Sequence, residues 1–111
     1  MKYRVVIETR AVRDIDEALG WIAGRSPVAA GRWLNAIEAE IHSLAHFPER
    51  CPRAREDGRF RYELRQLVDG RRHGRYRVIF TIRGNEVHVL HVRHGAKAAM
   101  TPTEIESLLP R

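Results

Sequence analysis

The chain has 111 residues, 43% hydrophobic and 31% charged, which fits one globular domain (residues 1–111) with a modest core and argues against disorder. No apolar run approaches the roughly 20 residues that a membrane span needs, and Met1 to Glu8 hold neither the apolar stretch nor the small-residue cleavage site of a secretory signal. Cys51 is the only cysteine, which excludes an intramolecular disulfide and a zinc knuckle, so a cytoplasmic location is expected.

The formal net charge is +6, and it is unevenly placed. Residues 1–49 carry six Lys/Arg against seven acids, whereas residues 50–93 carry twelve arginines against five acids. Lys2 and Lys97 are the only lysines. Nearly all the positive charge is therefore guanidinium, which makes planar, bidentate contacts with phosphate or carboxylate and stacks on bases. This pattern points to a polyanionic or acidic partner for the C-terminal half.

In chain order, Lys2 to Glu8 is β-branched and aromatic and reads as a first strand. Val12, Ile15, Leu19 and Ile22 then recur at helical spacing, with Asp14, Asp16 and Glu17 off that stripe near the helix start, where the dipole favours them; Gly24 is the expected stop. Ser26-Pro27 reads as an N-cap followed by proline in the first turn of a second helix. That helix runs to about His46, with Ala30, Trp33, Ile37, Ile41 and Leu44 on one face, and Phe47-Pro48 ends it. Residues 48–62 are polar and aperiodic. Glu63 to Asp69 reads as a strand, Gly70 to Gly74 as a turn, and Tyr76 to Ile82 as the strongest strand in the chain. Gly84-Asn85 fits a two-residue hairpin turn leading to Glu86–Val92. Thr101-Pro102 starts a short terminal helix through Leu109. The order β-α-α-β-β-β, with strands grouped after helices, implies an α+β fold: an N-terminal strand and an antiparallel helical hairpin packed on a mostly antiparallel, twisted sheet.

A Gly84-Asn85 loop sets a hairpin register in which Arg83 opposes Glu86, Phe80 opposes Val89, Arg77 opposes Val92, Tyr76 opposes Arg93 and Arg75 opposes His94. Alternation then gathers Arg75, Arg77 and His94 on the face turned to solvent or a partner, with Tyr76, His91 and Arg93 on the face of the helices. A histidine beside two arginines is a candidate proton donor for phosphodiester cleavage, with the arginines stabilising developing charge. The chain has no P-loop, Gly-x-Gly-x-x-Gly, His-Glu-x-x-His or Gly-x-Ser-x-Gly motif. His88, His91 and His94 fall on alternate faces of a strand; His42 and His46 share a helix face without converging Cys or carboxylate partners. No metal site and no cofactor are expected.

Three runs carry a resemblance: Glu63-Leu-Arg-Gln-Leu67, Arg75-Tyr-Arg-Val-Ile-Phe80, and Val89-Leu-His-Val-Arg-His-Gly-Ala-Lys97. In this order, after Phe47-Pro-Glu-Arg50, they resemble the RelE/ParE toxin superfamily across nearly the whole chain. The resemblance implies the toxin of a type II toxin–antitoxin module, of the kind associated with plasmid stabilisation. Such a toxin is bound in a hetero-oligomer by an acidic antitoxin and arrests growth when free. RelE-like members cut mRNA on the ribosome, whereas ParE-like members poison DNA gyrase. Arg77 matches the strand arginine of the nucleases, which makes Arg77, His94 and Arg65 the catalytic candidates and Arg61, Arg75, Arg93 and Tyr76 the candidates for binding phosphate or antitoxin. The rest of the nuclease pattern is missing. Arg59, Arg61 and Arg65 stand where that pattern has a lysine pair, no tyrosine follows Tyr76, and no His or Tyr occurs in Gly95-Ala-Lys-Ala-Ala99. The resemblance leaves three roles open: mRNA endonuclease, non-catalytic gyrase inhibitor, or a non-toxic antitoxin-binding co-repressor.

Overall fold

A computed structural model describes residues 2–69 and 76–108. The elements are β1 (Arg4–Ile7), α1 (Thr9–Arg25), α2 (Pro27–Ser43), a single 3₁₀ turn (Pro48–Arg50), β2 (Arg65–Asp69), β3 (Tyr76–Arg83), β4 (Glu86–His94) and α3 (Pro102–Glu106). The strands form one sheet in the order β1-β4-β3-β2. β3 pairs antiparallel with both β2 and β4, and β1 adds to β4 in parallel, so the sheet is mixed and the α+β class stands. No helix among the described residues is long and apolar enough to cross a membrane.

Ser26 organises the helical hairpin. Its backbone is extended (φ −158°, ψ 108°), as a residue before proline prefers. Its N–H donates to Ile22 O at 2.8 Å to finish α1, and its hydroxyl accepts from Ala29 N–H at 3.2 Å to start α2. Gly24 therefore lies inside α1 instead of closing it; Ser26-Pro27 supplies both the stop and the restart. The expected stripe of α1 holds at Ile15, Leu19 and Ile22, which are half-buried, and differs at its start. Ala11 is fully buried while Val12 is 45% exposed, because the helix starts at Thr9 and lays its smallest apolar residue on the sheet. On α2 the expected face holds, with Ala30, Ile37, Ile41 and Leu44 buried and Trp33 packed beside them. α2 ends at Ser43, so His46 is not on the same helix as His42; its backbone bridges Lys2.

The sheet is covered on both faces. Val78, Phe80, Val87 and Val89 meet the helical hairpin in one core, as the alternation of the two long strands requires, and Val92 joins them out of phase. Ile79 and Leu90 face the other way, into a second core made with Ala54, Leu64, Met100, Ile105 and Leu108. The aperiodic stretch after α2 is therefore a packed cover and not a solvated loop. It is tied down by Ala54 N–H to Leu64 O (2.8 Å), Gln66 N–H to Pro52 O (3.0 Å) and Leu64 N–H to the Asp57 carboxylate (3.0 Å). The hairpin turn occurs at Gly84-Asn85 as expected, with the positive φ (60°) on Gly84, the first central residue, as in a type II′ turn. α3 opens with a capping box in which Thr101 and Glu104 exchange side-chain and backbone bonds.

Replacing Ser26 with alanine removes the cap of α2 and leaves the backbone free of new contacts. A loss of about 1 kcal/mol, or roughly 4–8 °C in Tm for a domain of this size, is expected in thermal unfolding monitored by circular dichroism.

Candidate functional site

The β3–β4 register decides which candidates meet. The inner pairs are as expected, with Arg83 opposite Glu86 and Phe80 opposite Val89. Between Ile79 and Phe80 the register then shifts, and Leu90 is the extra residue on β4. Beyond this bulge Ile79 opposes His91, Arg77 opposes Arg93 and Tyr76 opposes His94. The expected grouping of Arg77 with His94, and of Tyr76 with Arg93, is thus exchanged. Arg75 lies outside the described residues, as does the turn at Gly70–Gly74.

Arg77 is on the sheet face away from the helical hairpin, as expected, but not in solvent. It is 3% exposed, and Glu56, 0% exposed, receives its guanidinium from two nitrogens at 2.6 and 3.1 Å. Gln66 Oε1 accepts from its Nε and Nη2 at 3.0 and 2.8 Å, and Glu56 also accepts the Met100 N–H at 2.9 Å. The pair thereby joins the cover loop, strands β2 and β3, and the segment entering α3. Burial alone would raise the Glu56 carboxyl, but the bonds from Arg77 and Met100 outweigh it and hold the group at about 2. Arg65 is similarly engaged, donating to the carbonyls of Glu49 (3.1 Å) and Cys51 (2.6 Å) and to Glu63 (2.8 Å).

Tyr76, Arg93 and His94 line an open cleft of about 530 Å³ between α1 and the end of β4, bordered also by Trp21, His91 and Lys97. Tyr76 stands edge-on to both Trp33 and His94, with ring centroids 5.1 Å apart in each pair, and burial pushes its hydroxyl up. His94 Nδ1 accepts the Ala96 N–H at 3.0 Å, which directs the other ring nitrogen away from the backbone. Asp14 spans the gap from α1. Its carboxylate accepts the Val92 N–H at 3.0 Å, the Nε of Arg10 at 3.1 Å and the Nδ1–H of His91. Although burial opposes it, these bonds hold the Asp14 carboxyl below its ordinary range. Asp14 lies in the second turn of α1, so its role is to fasten that helix to β4 past the bulge, not to neutralise the helix dipole. Arg93, which also lines the cleft, clamps the tail by donating to Ala98 O at 2.8 and 3.1 Å and to Glu104 at 2.7 Å. Arg61 is exposed on the cover loop, remote in sequence from the cleft residues, with its guanidinium over Phe60 and Tyr62.

The structure therefore splits the catalytic set. Arg77 and Arg65 bind protein groups, and only His94 of the three borders the cleft. Three side chains that organise these places, Glu56, Asp14 and Glu104, were not among the sequence candidates. A sequence signal existed for Glu56: an arginine amid the apolar run of β3 requires a buried acid, and five lie in residues 50–93.

This arrangement has relatives of known class. The fold matches a solved chain described as the chromosomal ParDE toxin–antitoxin system from P. aeruginosa, with a TM-score of 0.68 over 84% of this chain and 96% of that one, at 17% identity. In sequence, the chain is 30% identical over 95 residues to Toxin RelE1 of Caulobacter vibrioides, covering 86% of this chain and 96% of the relative. Residues 5–99 match the family described as the ParE toxin of the type II toxin–antitoxin system, parDE. The chain belongs to that family, within the RelE/ParE toxin superfamily.

Because Arg77 and Glu56 complete each other in a closed site, removing either alone strands a charge. Arg77→Met is expected to cost about 3–5 kcal/mol in chemical denaturation, and adding Glu56→Leu should restore most of it. The Glu56 carboxyl lies lower in the fold than its unfolded value of 4.5. Its contribution, on the order of 3 kcal/mol, is complete above pH 4.5 and lost as pH falls from 4.5 towards 2. Glu56→Gln should flatten that acid limb of the stability profile.

Proposed function

We propose that this family member acts as a toxin by binding DNA gyrase, without cutting RNA, and that a cognate acidic antitoxin holds it inactive in a cytoplasmic hetero-oligomer. The observation that carries this reading is the burial of Arg77. A guanidinium bonded to Glu56 and Gln66 has no face left for a phosphate in a transition state, which must be met by preorganised, unoccupied donors. Arg65 is bonded to backbone carbonyls. Among the described residues His94 meets the Tyr76 ring and the Ala96 N–H and is hydrogen-bonded to no carboxylate. Inhibition by binding needs none of these groups. The toxin–antitoxin system named for the P. aeruginosa relative supports the antitoxin as resting partner. The cleft suits it: Trp21, 64% exposed, is an apolar anchor with the Arg25 guanidinium 5.0 Å from its ring, and Lys97 also lines the cleft, so an acidic segment meets cations there.

The target is tested with one preparation assayed two ways. Gyrase supercoiling should be blocked while mRNA on ribosomes remains uncut, and His94→Ala should leave the supercoiling block within about threefold of wild type, a change of well under 1 kcal/mol. Cleaved mRNA with unimpaired supercoiling overturns the gyrase reading. Absence of growth arrest on induction without antitoxin would instead assign the co-repressor role. For the antitoxin, Trp21→Ala and Lys97→Glu should each weaken binding by about tenfold or more without lowering Tm.

A further inference from the structure

β1 and β2 are the two edges of the sheet. At β2 the chain supplies its own cover, since Gln66 N–H donates outward to Pro52 O at 3.0 Å and Arg53 bridges Arg65. At β1 the outer side is closed only before the strand begins, where Tyr3 N–H donates to Ala45 O at 2.7 Å and Lys2 bridges His46. Along β1 itself the parallel ladder alternates. The N–H groups of Arg4 and Glu8 donate to Asn85 O (3.0 Å) and Val89 O (2.9 Å), so Val6, in phase with them, also turns its amide to β4. Val5 and Ile7 therefore turn N–H and C=O outward, and no hydrogen bond reaches them among the described residues.

The centre of this free edge is Val5-Val6-Ile7, three β-branched residues in a row, with Ile7 37% exposed. Such an edge accepts a further strand unless charge or proline intervenes, and neither stands between Arg4 and Glu8.

The charge pattern selects the strand. Two copies of β1 laid antiparallel about a twofold axis through Val6 put Arg4 of each opposite Glu8 of the other on one face. On the other face Val5 meets Ile7, the residues whose backbone groups point outward, so each such pair closes two hydrogen bonds. Arg4 is free to turn, its side chain being 75% exposed, and Glu8 uses only Oε2, toward His88. An acidic segment would satisfy Arg4 but oppose Glu8. It would also run beside the groove of Ile7, Val12 and Ile15, which the exposed carboxylates Asp16 and Glu38 line as well.

We propose that β1 is a self-association edge, through which two copies of the free chain pair antiparallel about Val6 and join their sheets into one. The pairing rests on this strand alone and does not depend on the gyrase reading.

A contact of this length is smaller than a standard stable interface, so sedimentation velocity of the full-length chain is run as a concentration series. A monomer–dimer equilibrium is expected, and amide hydrogen exchange at Val5 and Ile7 should slow as the dimer fills. Ile7→Pro deletes an outward N–H while keeping the Glu8 bond to Val89. Each dimer then loses two hydrogen bonds, which should weaken it about tenfold or more with the circular dichroism unchanged. Arg4→Glu sets carboxylates against each other at both ends and should also weaken the dimer, with partial recovery as salt is raised. A chain that stays monomeric throughout overturns the proposal. So does a dimer that both variants leave intact, which places the contact elsewhere. Protection of Val5 and Ile7 that appears only on adding the cognate antitoxin also overturns it, and gives the edge to that partner.

Discussion

A guanidinium in the middle of an apolar strand can persist only if an acid is brought to it, and that constraint shapes half of this molecule. Arg77 sits on β3 between the hydrophobic residues of two cores, where an isolated charge would be prohibitively costly to desolvate. Glu56 answers it with both oxygens and is itself completed by the Met100 N–H. One carboxylate thus holds the cover loop, the central strand and the entry to α3 in register. Without it, Ile79, Leu90 and Leu64 would have no lid, since α3 is only five residues long and could not form unsupported. The pair's role is to specify where the cover docks. Its net contribution to stability depends on how well the bonds repay desolvation, and here the available acceptors are filled.

The bulge at Leu90 has the second-largest consequence. An uninterrupted hairpin would have placed His94 opposite residue 75 and Arg93 opposite Tyr76. The extra residue returns Val92 to the helix-facing core opposite Val78, brings Tyr76 against His94, and puts Arg93 where it can clamp Ala98 and Glu104. It also lies where β1 stops accompanying β4, because β1 pairs only as far as Val89. Past that point the sheet edge is covered by α1 through Asp14, whose carboxylate takes the Val92 N–H that a neighbouring strand would otherwise have used. The cleft is what remains between this helix and the re-aimed strand end.

Much of the fold was legible because its signals are local. The Ser26-Pro27 junction, the face of α2 from Ala30 to Leu44, the Gly84-Asn85 turn and the Thr101-Pro102 start are each written in a few adjacent residues, and each is found in place. The start of the α1 stripe escaped because Ala11 carries little hydrophobic signal while Val12 carries much, and only the sheet's proximity shows which one is buried. The bulge escaped because nothing in Val89-Leu-His-Val92 distinguishes a continuous ladder from one with an extra residue; both alternate acceptably over so short a run. The site was least legible for the same reason. Whether Arg77 is a catalytic donor or a structural ion depends on Glu56, 21 residues away in an aperiodic stretch.

The arginine surplus therefore separates into two populations with different chemistry. Arg50, Arg65, Arg77 and Arg93 point their guanidiniums at carbonyls and carboxylates of the same chain, replacing in this small protein the extra secondary structure that would otherwise close its loops and tail. Charge of that kind adds to the net total, but its N–H donors are already committed to acceptors of the same chain. Arg61 and Arg83 differ: aromatic faces hold their guanidiniums in place without neutralising them. A role that needs the first population as free donors and a role that needs only the second therefore make different demands on the same composition.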